Sequence, residues 1–216
     1  MTNTQKKLLF LTLFTAFGFV FLQLPFTKLA GSQISFTLFD FFAPIAAIFL
    51  GPVFGVISIL TVEVVNMLVK QQAFNTVSVI RLFPLLFAAL YFANPNKKNW
   101  MLLVIPLICI ISFNLNPVGR EVWYYSLLWT VPMAAYFYRK NLLVRSLGAT
   151  FLAHAVGGAG WIWAFNLPAS FWSNLIPTVI MERSLFALGI AGSFLVTRYV
   201  LKFLSDKKVL PSLDLH

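Results

Sequence analysis

The chain has 216 residues, of which 60% are hydrophobic and only 10% charged, and its formal net charge is +10. A soluble domain carries about 25% charged residues, so this composition excludes a sizeable water-soluble domain and marks an integral membrane protein. The basic excess would raise nucleic acid as a partner in a soluble chain; here it sits in loops and is assigned to membrane topology, so no nucleic acid is expected.

Apolar runs and breakers define eight segments, at 7–25, 38–51, 53–70, 76–94, 100–115, 120–138, 142–165 and 174–204, in one transmembrane domain taken as 1–216. The first follows Lys6-Lys7. Its apolar stretch exceeds the roughly 7–15 residues of a signal peptide, and cleavage near Ala30 would leave Lys28 where a small residue is wanted, so it reads as a retained helix. The second and third segments form one apolar run from Phe39 to Lys70, broken at Leu50-Gly51-Pro52. A spanning helix needs roughly 20 apolar residues, so the run reads as two short spans joined at Gly-Pro. The second and fifth segments are short for full spans. The eighth is long enough for its last turns to emerge into water. Further breakers are Pro25, Asn94-Pro95-Asn96, Asn116-Pro117 and Asn166-Leu167-Pro168. The lone cysteine, Cys109, lies in an apolar run and can form neither an internal disulfide nor a thiol-based metal site.

The charges test this order. With the N-terminus in the cytoplasm, the inner loops and ends receive Lys6, Lys7, Lys97, Lys98, Arg139, Lys140, Arg145, Arg198, Lys202, Lys207 and Lys208. The outer side receives Lys28, Lys70, Arg81, Arg120 and Arg183. Eleven against five fits the positive-inside rule for an N-in, C-in protein with an even number of crossings.

In this topology the polar residues gather in the outer half. Asp40 starts the second segment and Glu63 lies deep in the third. Arg81 sits about one turn into the fourth. Arg120 and Glu121 open the sixth, and Glu182-Arg183 lie in the eighth. An ionisable group at the membrane centre costs about 3 kcal/mol or more, so Glu63 is not expected to be a bystander. Trp123, Tyr124, Tyr125, Trp161, Trp163 and Trp172 accompany these groups. The pattern predicts an outward-facing cavity with charged and aromatic walls, suited to a small polar or heteroaromatic ligand. Glu63, Arg81, Glu182 and Arg183 are the first ligand candidates, followed by Asp40 and Trp161.

Structural roles compete with this reading. Glu63 with Arg81 or Arg183 could be an ion pair that joins helices. Arg120 and Glu121 fit a solvated helix start. Glu182 and Arg183 are neighbours, about 100° apart on a helix, so at most one is expected to face a pocket. Trp172 is assigned to the interfacial aromatic belt. His154 is assigned to hydrogen-bonded packing, and Gly157, Gly158 and Gly160 to close helix packing or a local break. No metal-ligand spacing, phosphate loop or catalytic constellation occurs, so no metal, no cofactor and no enzyme activity is expected.

The run PIAAIFLGPVFGVISIL at 44–60 resembles the segment joining the second and third helices of the S components of energy-coupling factor (ECF) transporters, the substrate-binding membrane subunits of vitamin importers. There a short apolar helix ends in Leu-Gly-Pro and a glycine recurs as the next helix returns; Leu50, Gly51, Pro52 and Gly55 match. The resemblance implies an all-α bundle in the plasma membrane, usually of six helices; with the eight segments of this sequence the expectation is six to eight transmembrane helices. It implies a vitamin-like ligand taken from outside under closing loops. It also implies a membrane coupling subunit and two cytoplasmic ATPases as partners, and release of the ligand inward by toppling. Small residues on the first helix dock the coupling subunit in this family; Thr12 and Ala16 hold the corresponding positions, with Gly18 nearby. Two other readings stay open: a scaffold subunit of cell-envelope machinery, and an intramembrane enzyme acting on a lipid or isoprenoid through Glu63, Glu182 or His154.

Overall fold

The computed structural model describes residues 3–28, 35–93 and 98–207. The Asn94-Pro95-Asn96 breaker, Ala30, Lys97 and Lys208 lie outside the described residues. Helix dominates the described chain. Its elements are α1 (Asn3–Leu22), a short hairpin of β1 (Pro25–Lys28) and β2 (Ser35–Thr37), and a compound segment made of α2 (Phe39–Phe42), a 3-10 turn and α3 (Ala46–Leu50). Then come α4 (Pro52–Val69), α5 (Thr76–Phe92), α6 (Met101–Leu115), α7 (Pro117–Glu121), a 3-10 stretch (Trp123–Thr130), α8 (Val131–Phe137), α9 (Leu142–Ala164) and α10 (Ala169–Asp206). Among the described residues, three helices, α4, α9 and α10, are long and apolar enough to cross a membrane. Leu8–Leu22, Phe39–Leu50, Thr76–Phe92 and Met101–Leu115 are shorter apolar helical stretches.

The breaker residue Asn116 acts through a single hydrogen bond, as do Asn75 and Asn141. They cap α7, α5 and α9 by accepting from the backbone N–H of Val118, Ser78 and Val144. Each cap fills one of the orphan donors at a helix start. Pro52 and Pro117 occupy the first helical turn, where no N–H is needed.

Gly51 makes the sharpest reversal. Its φ of 81° and ψ of 161° are closed to residues with a Cβ. Gly55 then lets α4 return directly against α3: a Cβ there would stand 2.5 Å from Ala47 Cα and 2.7 Å from Ala47 N. The Leu-Gly-Pro-x-x-Gly pattern is therefore a turn glycine followed by a contact glycine.

Helix α9 occupies the middle of the bundle and packs against α5, α6, α8 and α10. It runs unbroken through Gly157, Gly158 and Gly160, so these glycines serve close packing. Trp129, for example, lies where a Cβ on Gly158 would be 2.6 Å away. Two apolar clusters fill the interior. One joins Phe10, Phe14, Phe42, Phe49, Phe92 and Phe194. The other centres on Phe113, Tyr125, Trp129 and Trp172. Lipid tails are as apolar as these side chains, so dispersion contacts and ring geometry hold such a bundle more than expulsion from water does.

Three expectations need correction. The sixth segment is not one helix, because Trp123–Thr130 tightens into a 3-10 stretch between α7 and α8. The eighth begins earlier, at Ala169, and continues for 38 residues through Pro177. The chain after Leu22 forms an antiparallel hairpin, pairing Pro25 with Thr37 and Lys28 with Ser35, which the hydropathy pattern does not announce.

Replacing Gly55 with Val should cost more than replacing Gly51 with Ala. The first forces backbones apart, whereas the second stores about 1–3 kcal/mol of backbone strain. Thermal unfolding of both variants in detergent checks the order.

Candidate functional site

Chain geometry brings the first two acids together. Asp40 lies eleven residues before Gly51 and Glu63 twelve after it. At 1.5 Å of rise per residue both stand roughly 17 Å from the turn, on the two arms of one hairpin. Both line one cavity together with Arg81 of α5. Asp40 Oδ2 also accepts from Thr37 N at 2.6 Å and from Thr37 Oγ1 at 3.2 Å, which ties β2 to the start of α2.

The opposite wall is built by α9 and α10. Arg183 is buried, with 5% of its surface exposed. Its Nη1 donates to Thr150 Oγ1 at 3.4 Å, and its Nη2 lies 3.5 Å from Glu182 Oε2. Its guanidinium sits 4.3 Å from the ring centre of Phe186 and 5.0 Å from that of Phe36, the latter on β2. One turn from Thr150, His154 Nε2 shares a hydrogen bond with Tyr125 Oη at 2.9 Å.

These walls enclose a cavity of about 440 Å³, within the range of small-molecule sites. Asp40, Glu63, Arg81, Trp161, Glu182 and Arg183 all line it. So do Phe36, Tyr125, Thr150, His154, Trp172 and Phe186. The lining draws on both apolar clusters, so the polar groups occupy the space where the two cores fail to meet.

Several assignments change. Glu182 and Arg183 both line the cavity, because the long arginine side chain swings back beside its neighbour's carboxylate. Trp172 is not an interfacial residue: it is 2% exposed and stands edge-on to Phe113 and Tyr125, each 5.2 Å away between ring centres. Glu63 forms no ion pair with Arg81 or Arg183 within 4.0 Å; the pair at the site is Arg183–Glu182. Among the described residues neither the Glu63 carboxylate nor the Arg81 guanidinium holds a hydrogen bond. His154 packs through its hydrogen bond and also faces the cavity.

Arg120, Glu121, Trp123, Tyr124 and Trp163 are exposed and do not line the cavity. Thr12 and Ala16 lie one turn apart on the exposed face of α1, where Thr12 Oγ1 donates to Leu8 O at 3.0 Å. Gly18 faces the other way, against Phe39 and Val62. Sequence reasoning missed Phe36 and Thr150 as cavity residues. A hairpin phenylalanine and a mid-helix threonine carry no marker of their own. Among the described residues, no group of three or more His, Cys, Asp or Glu side chains could hold a metal ion.

The chain is 25% identical to an uncharacterized protein of Methanocaldococcus jannaschii, over an alignment of 216 residues covering 91% of this chain and 72% of that protein. No family model and no solved structure matches it.

Removing one member of a buried pair strands the other, at about 3–5 kcal/mol. Glu182→Gln should therefore lower the thermal midpoint clearly, and Glu182→Gln with Arg183→Met should recover much of the loss. Thermal unfolding in detergent of the two single variants and the double variant gives the coupling.

Proposed function

We propose that the protein is the membrane-embedded substrate-binding subunit of an ECF-type importer. It captures a small vitamin-like micronutrient in the cavity and delivers it inward with partner ATPases. One observation carries this reading: six polar or aromatic residues chosen from sequence, spread over five helices, line a single cavity of ligand size. A cavity walled mainly by apolar and aromatic side chains, with a few converging charged groups, is the usual form of a small-molecule site. Ionisable groups placed within apolar helices at an energetic cost point the same way.

In this reading the helices form an N-in, C-in bundle in the plasma membrane, with six to eight crossings. The β1–β2 hairpin contributes Phe36 to the cavity wall and is a natural cover for the site. The Thr12/Ala16 face of α1, exposed and small enough for close helix approach, would receive the coupling subunit. The sequence contains no phosphate loop, so ATP hydrolysis belongs to the partners.

Mass spectrometry of small molecules carried by the detergent-purified protein tests the binding role. A stoichiometric compound is expected, and Glu63→Gln or Arg81→Gln should weaken its binding about tenfold or more while the helical content is kept. A folded protein that stays empty after exposure to a vitamin panel would move the reading to a scaffold subunit. Thr12→Leu with Ala16→Leu should abolish co-purification with a coupling subunit and leave ligand binding unchanged. Retained co-purification would place docking elsewhere.

A further inference from the structure

A buried guanidinium ordinarily holds several short acceptors, at about 2.7–2.9 Å when the acceptor is charged. Arg183 does not. Its contacts to Thr150 and Glu182 are 3.4 and 3.5 Å long, and its buried Nε has no partner. A second cavity-lining residue repeats the pattern: Trp172 Nε1 is also buried without a partner. Burying an unmet donor is costly, so the wall presents hydrogens that lack an acceptor.

Charge runs in the opposite direction. Three carboxylates (Asp40, Glu63 and Glu182) share the cavity with two guanidiniums (Arg81 and Arg183). Glu182 and Asp40 both act on Arg183 electrostatically, so its charge is answered although its hydrogens are not. Arg81 is exposed at its other side and also lines the cavity, and Glu63 is half-buried; neither holds a hydrogen bond among the described residues. An incoming carboxylate or phosphate on Arg183 would stand beside Glu182 and share the cavity with Asp40, and like charges repel strongly where water is scarce. A neutral acceptor meets no such penalty, and an N–H donor or a cation would find Glu63 waiting.

We infer that the cavity selects a neutral or singly cationic nitrogen heteroaromatic ligand and rejects anions. Carbonyl or ring-nitrogen acceptors of the ligand meet Arg183 and Trp172, and ring or exocyclic N–H groups meet Glu63. The half-buried indole of Trp161 supplies an aromatic wall for the ring. The inference rests on the cavity being a ligand site, and it names the chemistry of what enters.

The test uses the protein in detergent and probe pairs that share a ring but differ in charge: nicotinamide and nicotinate, uracil and orotate, pterin and pterin-6-carboxylate. Affinities are read by equilibrium dialysis, alongside mass spectrometry in both ionisation modes of whatever the purified protein releases on denaturation. The uncharged member of at least one pair should bind about tenfold or more tightly than its carboxylate partner. Glu63→Gln should weaken that uncharged probe. Arg183→Lys, which keeps the charge and loses the Nε donor, should weaken it too, with folding of both variants checked by helical content. A carboxylate that binds better than its uncharged partner, or a recovered ligand that is anionic, overturns the inference and leaves the binding role standing. Binding of no probe together with no recovered compound overturns both.

Discussion

The reversal at Gly51 is the constraint on which the rest of this structure depends. A positive φ with an extended ψ turns the chain within one residue, and Pro52 starts the next helix without an unmet N–H. Gly55 then removes the one side-chain atom that would hold α3 and α4 apart. Because the turn is so short, α3 and α4 pack directly against each other. Asp40, before α3 in the first arm, and Glu63, in the second, both line the cavity.

The second wall depends on a different principle. Helices α9 and α10 pack against each other with the buried guanidinium of Arg183 reaching across to Thr150, and the guanidinium needs compensation that apolar neighbours cannot give. Glu182 supplies charge, Thr150 a weak hydrogen bond, and Phe36 and Phe186 their ring faces. Phe36 belongs to β2, and Asp40 binds the neighbouring Thr37, so the hairpin is joined to both walls at once. Movement of that hairpin would change the surroundings of Arg183 and of Asp40 together.

The aromatic residues divide by position rather than by type. Trp123, Tyr124 and Trp163 are exposed, Tyr124 and Trp163 sharing hydrogen bonds with Ser173 and Ser112, as suits rings at a membrane boundary. Tyr125 and Trp172, close in sequence to exposed neighbours, turn inward and pack on Phe113. Residues 123–130 coil as a 3-10 helix, which sets successive side chains about 120° apart, so adjacent aromatics face opposite environments.

The sequence by itself determined a largely helical, strongly apolar chain, the hairpin at Leu50-Gly51-Pro52, the break at Asn116-Pro117, and the short set of charged residues to watch. All of these rest on local physics: hydropathy, backbone conformations open only to glycine, and the cost of a charge among apolar side chains. Tertiary structure alone decided that Glu182 and Arg183 share one cavity, that Trp172 is interior, and that Phe36 and Thr150 belong to the wall. Those outcomes depend on which helices become neighbours and on how a long side chain bends within the space they leave. Periodicity along a single helix carries no record of either.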